Sequence, residues 1–355
     1  MHLLAAITPH GFGHAAQVAP VLNVLRKRHP ELRLTLLTSL PPAFLRGRIQ
    51  GEFELIEEAP DFGLIMSSAL AIDLEASAAA YRRLHDDWDG RLDRETQRLR
   101  RLSPTLVLAD VPYLTLAAAD RAGIPAVAMC SLNWADVYRH YFLQRPEAPG
   151  ILEQMEEAYR SARVFLCPEP SMPMPFLDRR VAIGPIATVG RSQAKSLREQ
   201  LRLGAAQRLI LVAPGGVKAR FPMESWPAGQ GIHWLVSADW QVRHADVSSY
   251  QGTGLAFTDL IASCDAVLGK CGYGTVTECA VNGTPLMYVP RPDWPEEATL
   301  LGWLQARHGA LTVEAQRLES GRFADLVAPL QSLQPSPCEP NGASQAADRI
   351  SAYFS

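Results

Sequence analysis

Residues 266–278 read Ala-Val-Leu-Gly-Lys-Cys-Gly-Tyr-Gly-Thr-Val-Thr-Glu, and residues 283–291 follow with Gly-Thr-Pro-Leu-Met-Tyr-Val-Pro-Arg. This order predicts a short buried strand at 266–268, a glycine-rich turn, a helix opening near Tyr273 and a second buried strand at 285–289. Gly272 and Gly274 let the backbone come close to a ligand. The free N–H groups and the positive end of the helix face the same point, which makes an anion site. Glu278 lies one turn into the helix, too far along to cap it but able to face a ribose. A pyrophosphate at the turn and a ribose on the carboxylate would describe a nucleotide-sugar pocket. Gly269-Lys270 is not a P-loop, because position 264 is Cys where Gly is needed and Cys271 replaces the Ser/Thr.

Outward from this stretch, apolar runs alternate with helical patterns along most of the chain. Residues 2–7 form a continuous apolar run, the mark of a strand buried on both faces. A glycine turn and a helix to about Arg28 follow. Further strands are predicted at 32–38, 106–109, 126–129, 164–166 and 181–183, with 113–122 helical. Residues 70–102 read as one long helical region, broken or bent near Gly90. The pattern stops around Gly184-Pro185, and 187–195 is small, polar and glycine-containing, as a linker would be. A second series runs through 209–213, Gly215-Gly216, 234–236, 266–268 and 286–289. Its first strand is not followed by the usual long helix, since 218–231 holds two prolines and two glycines. A last helix, about 343–353, is placed to pack back on the first half. The fold class is therefore α/β, with two facing Rossmann-like doubly wound domains and an interdomain cleft. The expected boundaries are 1–188, 189–340 and 341–355.

The 355 residues are 47% hydrophobic and 20% charged, as a packed globular protein requires, and the net charge of −3 gives no hint of a nucleic-acid partner. The six cysteines show no CxxC pair and no metal-finger spacing, and no His/Cys/carboxylate cluster is evident, so no bound metal is expected. No apolar run approaches the length of a membrane span, and no signal peptide is expected. A reduced, cytoplasmic setting fits.

The Gly-Tyr-Gly-Thr-Val-Thr-Glu helix start resembles the donor signature of the GT-B glycosyltransferases. A closer resemblance is to the N-terminal, glycosyltransferase-like region of plant-type L-arabinose kinases. It rests on His10-Gly-Phe-Gly-His14, Ala109-Asp110-Val111-Pro112, Asn133-Trp134, the run from Asp259 to Glu278, and Arg291 followed by Glu296-Glu297. It covers most of the chain and is weakest at 52–100 and 216–250. The sugar-kinase domain that follows this region in those kinases has no counterpart here, so kinase activity is not carried over.

The resemblance implies a nucleotide-sugar donor as substrate, no cofactor, and a small-molecule or lipid-linked acceptor. The donor would be held by Lys270, Gly272, Tyr273, Gly274, Thr275 and Glu278, with one of Glu296 and Glu297 on the sugar and the other solvated. In the first half, His10, Gly11 and Gly13 form the glycine loop. His14 opens the helix and is the candidate base, since an imidazole at a helix N-terminus is held neutral. Asp110 ends a buried strand and would orient His14 or bind acceptor. Asn133 and Trp134 would line an acceptor site. A non-catalytic nucleotide or sugar sensor and a nucleotide-sugar epimerase are the competing readings. A dehydrogenase, suggested by Gly11-Phe-Gly-His-Ala-Ala16, is disfavoured because Leu37-Thr38-Ser39 supplies no acid at the end of the second strand.

Overall fold

The computed structural model describes residues 1–67, 71–214 and 220–354. Gly215-Gly216, expected to form a turn, lie outside the described residues. Two compact units divide the chain. The first comprises Met1–Ser67, Ala71–Ile186 and residues 341–354, and the second occupies Ala187–Pro340.

In the first unit the elements are β1 (His2–Ile7), α1 (Phe12–Arg28), β2 (Arg33–Leu37), α2 (Pro42–Arg48), β3 (Glu54–Ile56), α3 (Leu74–Asp86), α4 (Trp88–Leu102), β4 (Leu106–Asp110), α5 (Tyr113–Ala122), β5 (Ala126–Met129), α6 (Trp134–Phe142), α7 (Ala148–Arg160), β6 (Val164–Pro168) and β7 (Arg180–Ile183). The strands form a parallel sheet in the order β3-β2-β1-β4-β5-β6-β7. β1 is buried along its whole length because it lies inside the sheet, between β2 and β4. The strand order reverses between β1 and β4, and open α/β sheets bind ligands at the carboxyl ends of such a pair.

The long helical region predicted over 70–102 is two helices. The break falls at Asp87, and Gly90 lies inside α4. Asp87 ends one helix and starts the next, and its carboxylate takes a hydrogen bond from Arg94 at 2.6 Å.

The second unit holds α8 (Ala194–Gln200), β8 (Arg208–Ala213), β9 (Ile232–Val236), β10 (Val247–Ser249), α9 (Phe257–Ser263), β11 (Ala266–Lys270), α10 (Tyr273–Asn282), β12 (Leu286–Val289), α11 (Glu297–Gln305), β13 (Ala310–Thr312), α12 (Ala315–Ser320) and α13 (Val327–Ser332). Its parallel sheet has the order β10-β9-β8-β11-β12-β13, which reverses between β8 and β11. Gly269 belongs to this seam rather than to a ligand site: a Cβ there would lie 2.4 Å from the Ala213 carbonyl oxygen. Between β8 and β9 the described residues hold one short 3-10 turn, Met223–Ser225. Trp226, Trp234 and Phe323 pack together on this side of the sheet.

The expected linker at 187–195 is instead pinned along the second unit. Gly190 N donates to Asn282 Oδ1 at 2.8 Å, Arg191 N to Asp259 Oδ1 at 2.8 Å and Gln193 N to Ser263 Oγ at 2.9 Å. Gly190 is required here, since a Cβ would meet the Thr258 carbonyl oxygen at 2.1 Å.

The last helix, α14 (Gly342–Ser351), belongs to the first unit. Ala346, Ala347 and Ile350 join the core formed by β1, β2 and α1. Arg28 meets Asp348 at 2.7 Å, and Gly342 comes so close to Gly184 that a Cβ would overlap the Gly184 carbonyl oxygen.

Candidate active site

In the first unit, β1 ends at Ile7 and α1 begins after Gly11. The helix opens without a side-chain cap and with no acidic residue in its first turn. Gly11 has φ 179°, an ordinary extended value, and Gly13 lies within the first helical turn. A Cβ on Gly11 would meet nothing within 4 Å. No backbone strain and no internal neighbour explains glycine at position 11; open space stands over it.

His14 sits in this first turn, buried. Its Nδ1 lies 2.9 Å from Oδ1 of Asp110, which is wholly buried at the end of β4. An ionised carboxylate only accepts, so the bond places the imidazole proton on Nδ1 and leaves Nε2 with a lone pair. Burial raises the Asp110 carboxyl pKa, opposed by His14 and by hydrogen bonding with Cys130. The Cys130 sulfur, one residue beyond β5, lies 3.7 Å from His14 Nδ1. Three residues far apart in sequence thus form a His/Asp/Cys group with its donor atoms within 4.8 Å of one another. The expectation that the chain holds no such cluster is corrected: spacing along the chain does not reveal a group assembled at three neighbouring strand ends.

A second buried carboxylate, unforeseen in the sequence, stands nearby. Asp61 accepts a hydrogen bond from the Thr8 hydroxyl and one from Trp134 Nε1 at 2.7 Å. Burial pushes its pKa up to about 6, against the pull of these two bonds and of the His14 charge. Asp61 follows β3, a three-residue strand that carries no distinct sequence signal, so its arrival beneath the turn was not legible. Gln17 and Ser131 were also missed, because only the sheet register brings them together. Gln17 Nε2 donates to Ser131 Oγ at 3.0 Å, joining α1 to the end of β5.

The acceptor assignments of Asn133 and Trp134 require correction. Asn133 is fully buried and caps α6, accepting from Asp136 N at 2.8 Å and donating to Asp136 Oδ2 at 2.8 Å. Trp134 has no exposed surface; its ring fills the space beside Gly63 and its N–H is committed to Asp61. Both residues support the site from within. His10 meets the Trp134 ring edge-on at 5.2 Å, with Nδ1 3.4 Å from Leu64 N. The structure gives it a packing role and does not pair it with Asp110.

In the second unit, β11 ends at Lys270 and α10 opens on Gly272, again without a side-chain cap or an acidic first turn. A Cβ on Gly272, whose φ is −127°, would meet nothing within 4 Å. Tyr273 and Gly274 are buried, and Thr275 is half-buried. Lys270 is half-buried at the strand end. Burial and the Arg291 charge push its pKa down to about 8, while Glu296 pulls it up. Arg291 donates to the Cys271 carbonyl at 3.1 Å, lies over the Trp294 ring at 5.3 Å, and faces Glu297 with Nε 3.7 Å from Oε2.

The three glutamates are all buried. Glu278, Glu296 and Glu297 are each only 4% exposed, so none is a solvated helix residue. Glu297 is tied to Arg291, whose backbone N–H donates to its Oε1 at 2.6 Å. Burial raises its carboxyl pKa and Arg291 opposes the rise. Glu296 accepts from Trp294 Nε1 at 3.3 Å. The expectation that one of the pair is solvated is therefore overturned, because the turn after Arg291 folds both carboxylates inward.

No protein-family model matches the chain. Among solved structures, the glycotransferase of kitacinnamycin superposes with a TM-score of 0.64 at 17% identity, covering 99% of this chain and 98% of that one. UGT89C1 of Arabidopsis thaliana complexed with UDP superposes with a TM-score of 0.59 at 15% identity, with the same coverage. The same protein has been solved with quercetin. The fold is GT-B. In sequence, L-arabinokinase of Arabidopsis thaliana is 24% identical over 340 residues, which is 94% of this chain and 32% of that protein. The chain thus spans about a third of that relative's length. Both glycine turns follow a strand at which this chain's own strand order reverses, one in each unit. No helix among the described residues is long and apolar enough to cross a membrane.

Proposed function

We propose that this GT-B chain transfers a sugar from a nucleotide-sugar donor to a hydroxyl-bearing acceptor. The bond between His14 Nδ1 and Asp110 Oδ1 carries the reading. Asp110 fixes the tautomer that leaves Nε2 basic and stabilises the imidazolium once it forms. The acceptor hydroxyl gives its proton to Nε2 as its oxygen bonds to the anomeric carbon. The bond from that carbon to the diphosphate breaks, and its electron pair leaves with the diphosphate. A direct displacement of this kind inverts the anomeric carbon.

The second unit supplies the donor side. The uncapped start of α10 offers backbone N–H groups and the positive helix end to the leaving diphosphate. Lys270 adds a charge, and Thr275 a hydroxyl. Glu278 is assigned to the ribose and one of Glu296 and Glu297 to the donor sugar. UDP bound by a GT-B neighbour, and quercetin bound by the same neighbour, support a nucleoside-diphosphate sugar and a small-molecule acceptor. The helix terminus takes the place of a metal at the diphosphate, so EDTA is expected to leave turnover unchanged. Loss of turnover restored by Mg²⁺ would reverse that assignment.

A screen of nucleotide sugars by thermal shift, followed by product analysis with hydroxyl acceptors, tests the reading. Formation of a glycoside with inverted configuration, abolished by His14→Ala, is the expected result. The likeness to L-arabinokinase favours one second reading, a unit that binds nucleotide sugar without turning it over. Binding with no glycoside across the acceptor set would establish it.

A further inference from the structure

Cys130 gives the His14–Asp110 pair a third donor for which sugar transfer has no use. We propose that His14 Nδ1, the Asp110 carboxylate and Cys130 Sγ form a binding site for one zinc-like divalent cation, and that the cation and the basic function of His14 exclude each other.

The donor atoms all lie within 4.8 Å of one another, with Nδ1 2.9 Å from the carboxylate oxygen and 3.7 Å from the sulfur. A tetrahedral zinc with bonds of about 2.0–2.3 Å holds its donors about 3.3–3.6 Å apart. The two separations from Nδ1 lie within about 0.4 Å of these values, and the carboxylate and the sulfur are no more than 4.8 Å apart. The mixed nitrogen, oxygen and sulfur set suits zinc, whereas magnesium and calcium take oxygen ligands. Oδ2 of Asp110 supplies an independent indication: it is buried and has no hydrogen-bond partner. A buried polar atom left in that state is costly, and a cation would satisfy it. Thiolate and carboxylate together cancel a double positive charge, so the filled site is neutral, as a buried site should be. His14, with 9% of its side chain exposed, is the edge of the group that meets solvent.

Proton balance accounts for the exclusion. The metal takes the Nδ1 lone pair, so the ring proton moves from Nδ1 to Nε2. The Cys130 thiol proton is released to solvent, one per cation, and no oxidation state changes. With Nε2 protonated, the ring cannot take a proton from an acceptor. The metal site itself does not rest on the transfer reading, because its readout needs no substrate.

Titration of the reduced full chain with cobalt(II) tests the proposal. The expected result is a thiolate-to-cobalt charge-transfer band with tetrahedral d–d bands, saturating at one equivalent and bleached by zinc. Cys130→Ser should lose the charge-transfer band, and Cys338→Ser should keep it. Alkylation pulsed at a sub-denaturing urea concentration, which admits reagent to the otherwise fully buried Cys130, and read by mass spectrometry gives a readout on the unaltered chain: one equivalent of zinc should protect Cys130. A band that persists in Cys130→Ser, saturation without a thiolate band, or protection of a different cysteine would overturn the site. A zinc-loaded chain that still transfers sugar at its full rate would overturn the exclusion.

Discussion

The two glycine turns share a backbone and differ in what stands behind it. Each follows a strand at a reversal of strand order, and each opens a helix with neither side-chain cap nor acidic first turn. Over Gly11 and over Gly272 there is open space. Beneath the first lie His14, Asp110, Asp61 and Cys130; beside the second lie Lys270 and Arg291 with Glu296 and Glu297. A helix terminus favours an anion in both places. At about 4 Å, however, a single like charge costs about 1 kcal/mol in water and about 4 kcal/mol at an effective dielectric of 20. Both turns are backed by buried carboxylates; at the second, Lys270 and Arg291 offset Glu296 and Glu297, whereas at the first Asp110 holds an imidazole, which suits a base. The cations make the second turn suited to the diphosphate. Backbone geometry sets which ions are welcome in principle, and the side chains one layer back decide which chemistry follows.

His14→Ala tests this division with the largest effect. Removing a base that acts only in the transition state is expected to lower turnover by about 10²–10⁴, with nucleotide affinity unchanged by calorimetry. A parallel loss of affinity would show that the first turn also holds donor. Glu278→Gln is the reciprocal probe. Hydrogen bonds to a charged group contribute about 1.5–3 kcal/mol, so nucleotide affinity is expected to fall about tenfold or more. Because Glu278 is buried, the variant is also expected to unfold more readily, by about 1–3 kcal/mol in denaturant titration. Unchanged affinity in the folded variant would move the ribose elsewhere.

Lys270 supplies a pH test. In the unliganded chain its pKa is about 8. A bound diphosphate favours the ammonium form, so affinity is greatest below that value. It should decline above it by at most about tenfold per pH unit, since proton uptake is limited to one. A flat profile from pH 7 to 9 would remove Lys270 from the diphosphate.

The smallest effect separates two glycines three residues apart. Gly272→Ala places its methyl in open space and is expected to leave stability within about 0.5 kcal/mol while weakening nucleotide binding. Gly269→Ala drives a methyl against the Ala213 carbonyl and should lower the melting temperature. Equal melting temperatures would break the distinction.

The central strands and both glycine turns were legible because strands inside a parallel sheet are buried on both faces and read as unbroken apolar runs. The three-residue strands β3, β10 and β13 were not. They lie at the sheet margins, and Glu-Leu-Ile, Val-Ser-Ser and Ala-Leu-Thr carry no such run. His14 and Asp110 could be chosen separately from their positions after β1 and at the end of β4. Cys130 and Asp61 could not, since they reach the same spot only through sheet register. The Glu296-Glu297 pair misled for a simpler reason: of two adjacent carboxylates one reads as solvated until the burial of both is known.

The place of α14 has a consequence for how the chain is made. Its seat against α1 is built from residues that leave the ribosome early, yet the helix itself is synthesised after the whole of the second unit. Until then the core shared by β1, β2 and α1 lacks Ala346, Ala347 and Ile350, while the second unit can already close on itself. The first unit is thus discontinuous in sequence, and its core is complete only once α14 has been made.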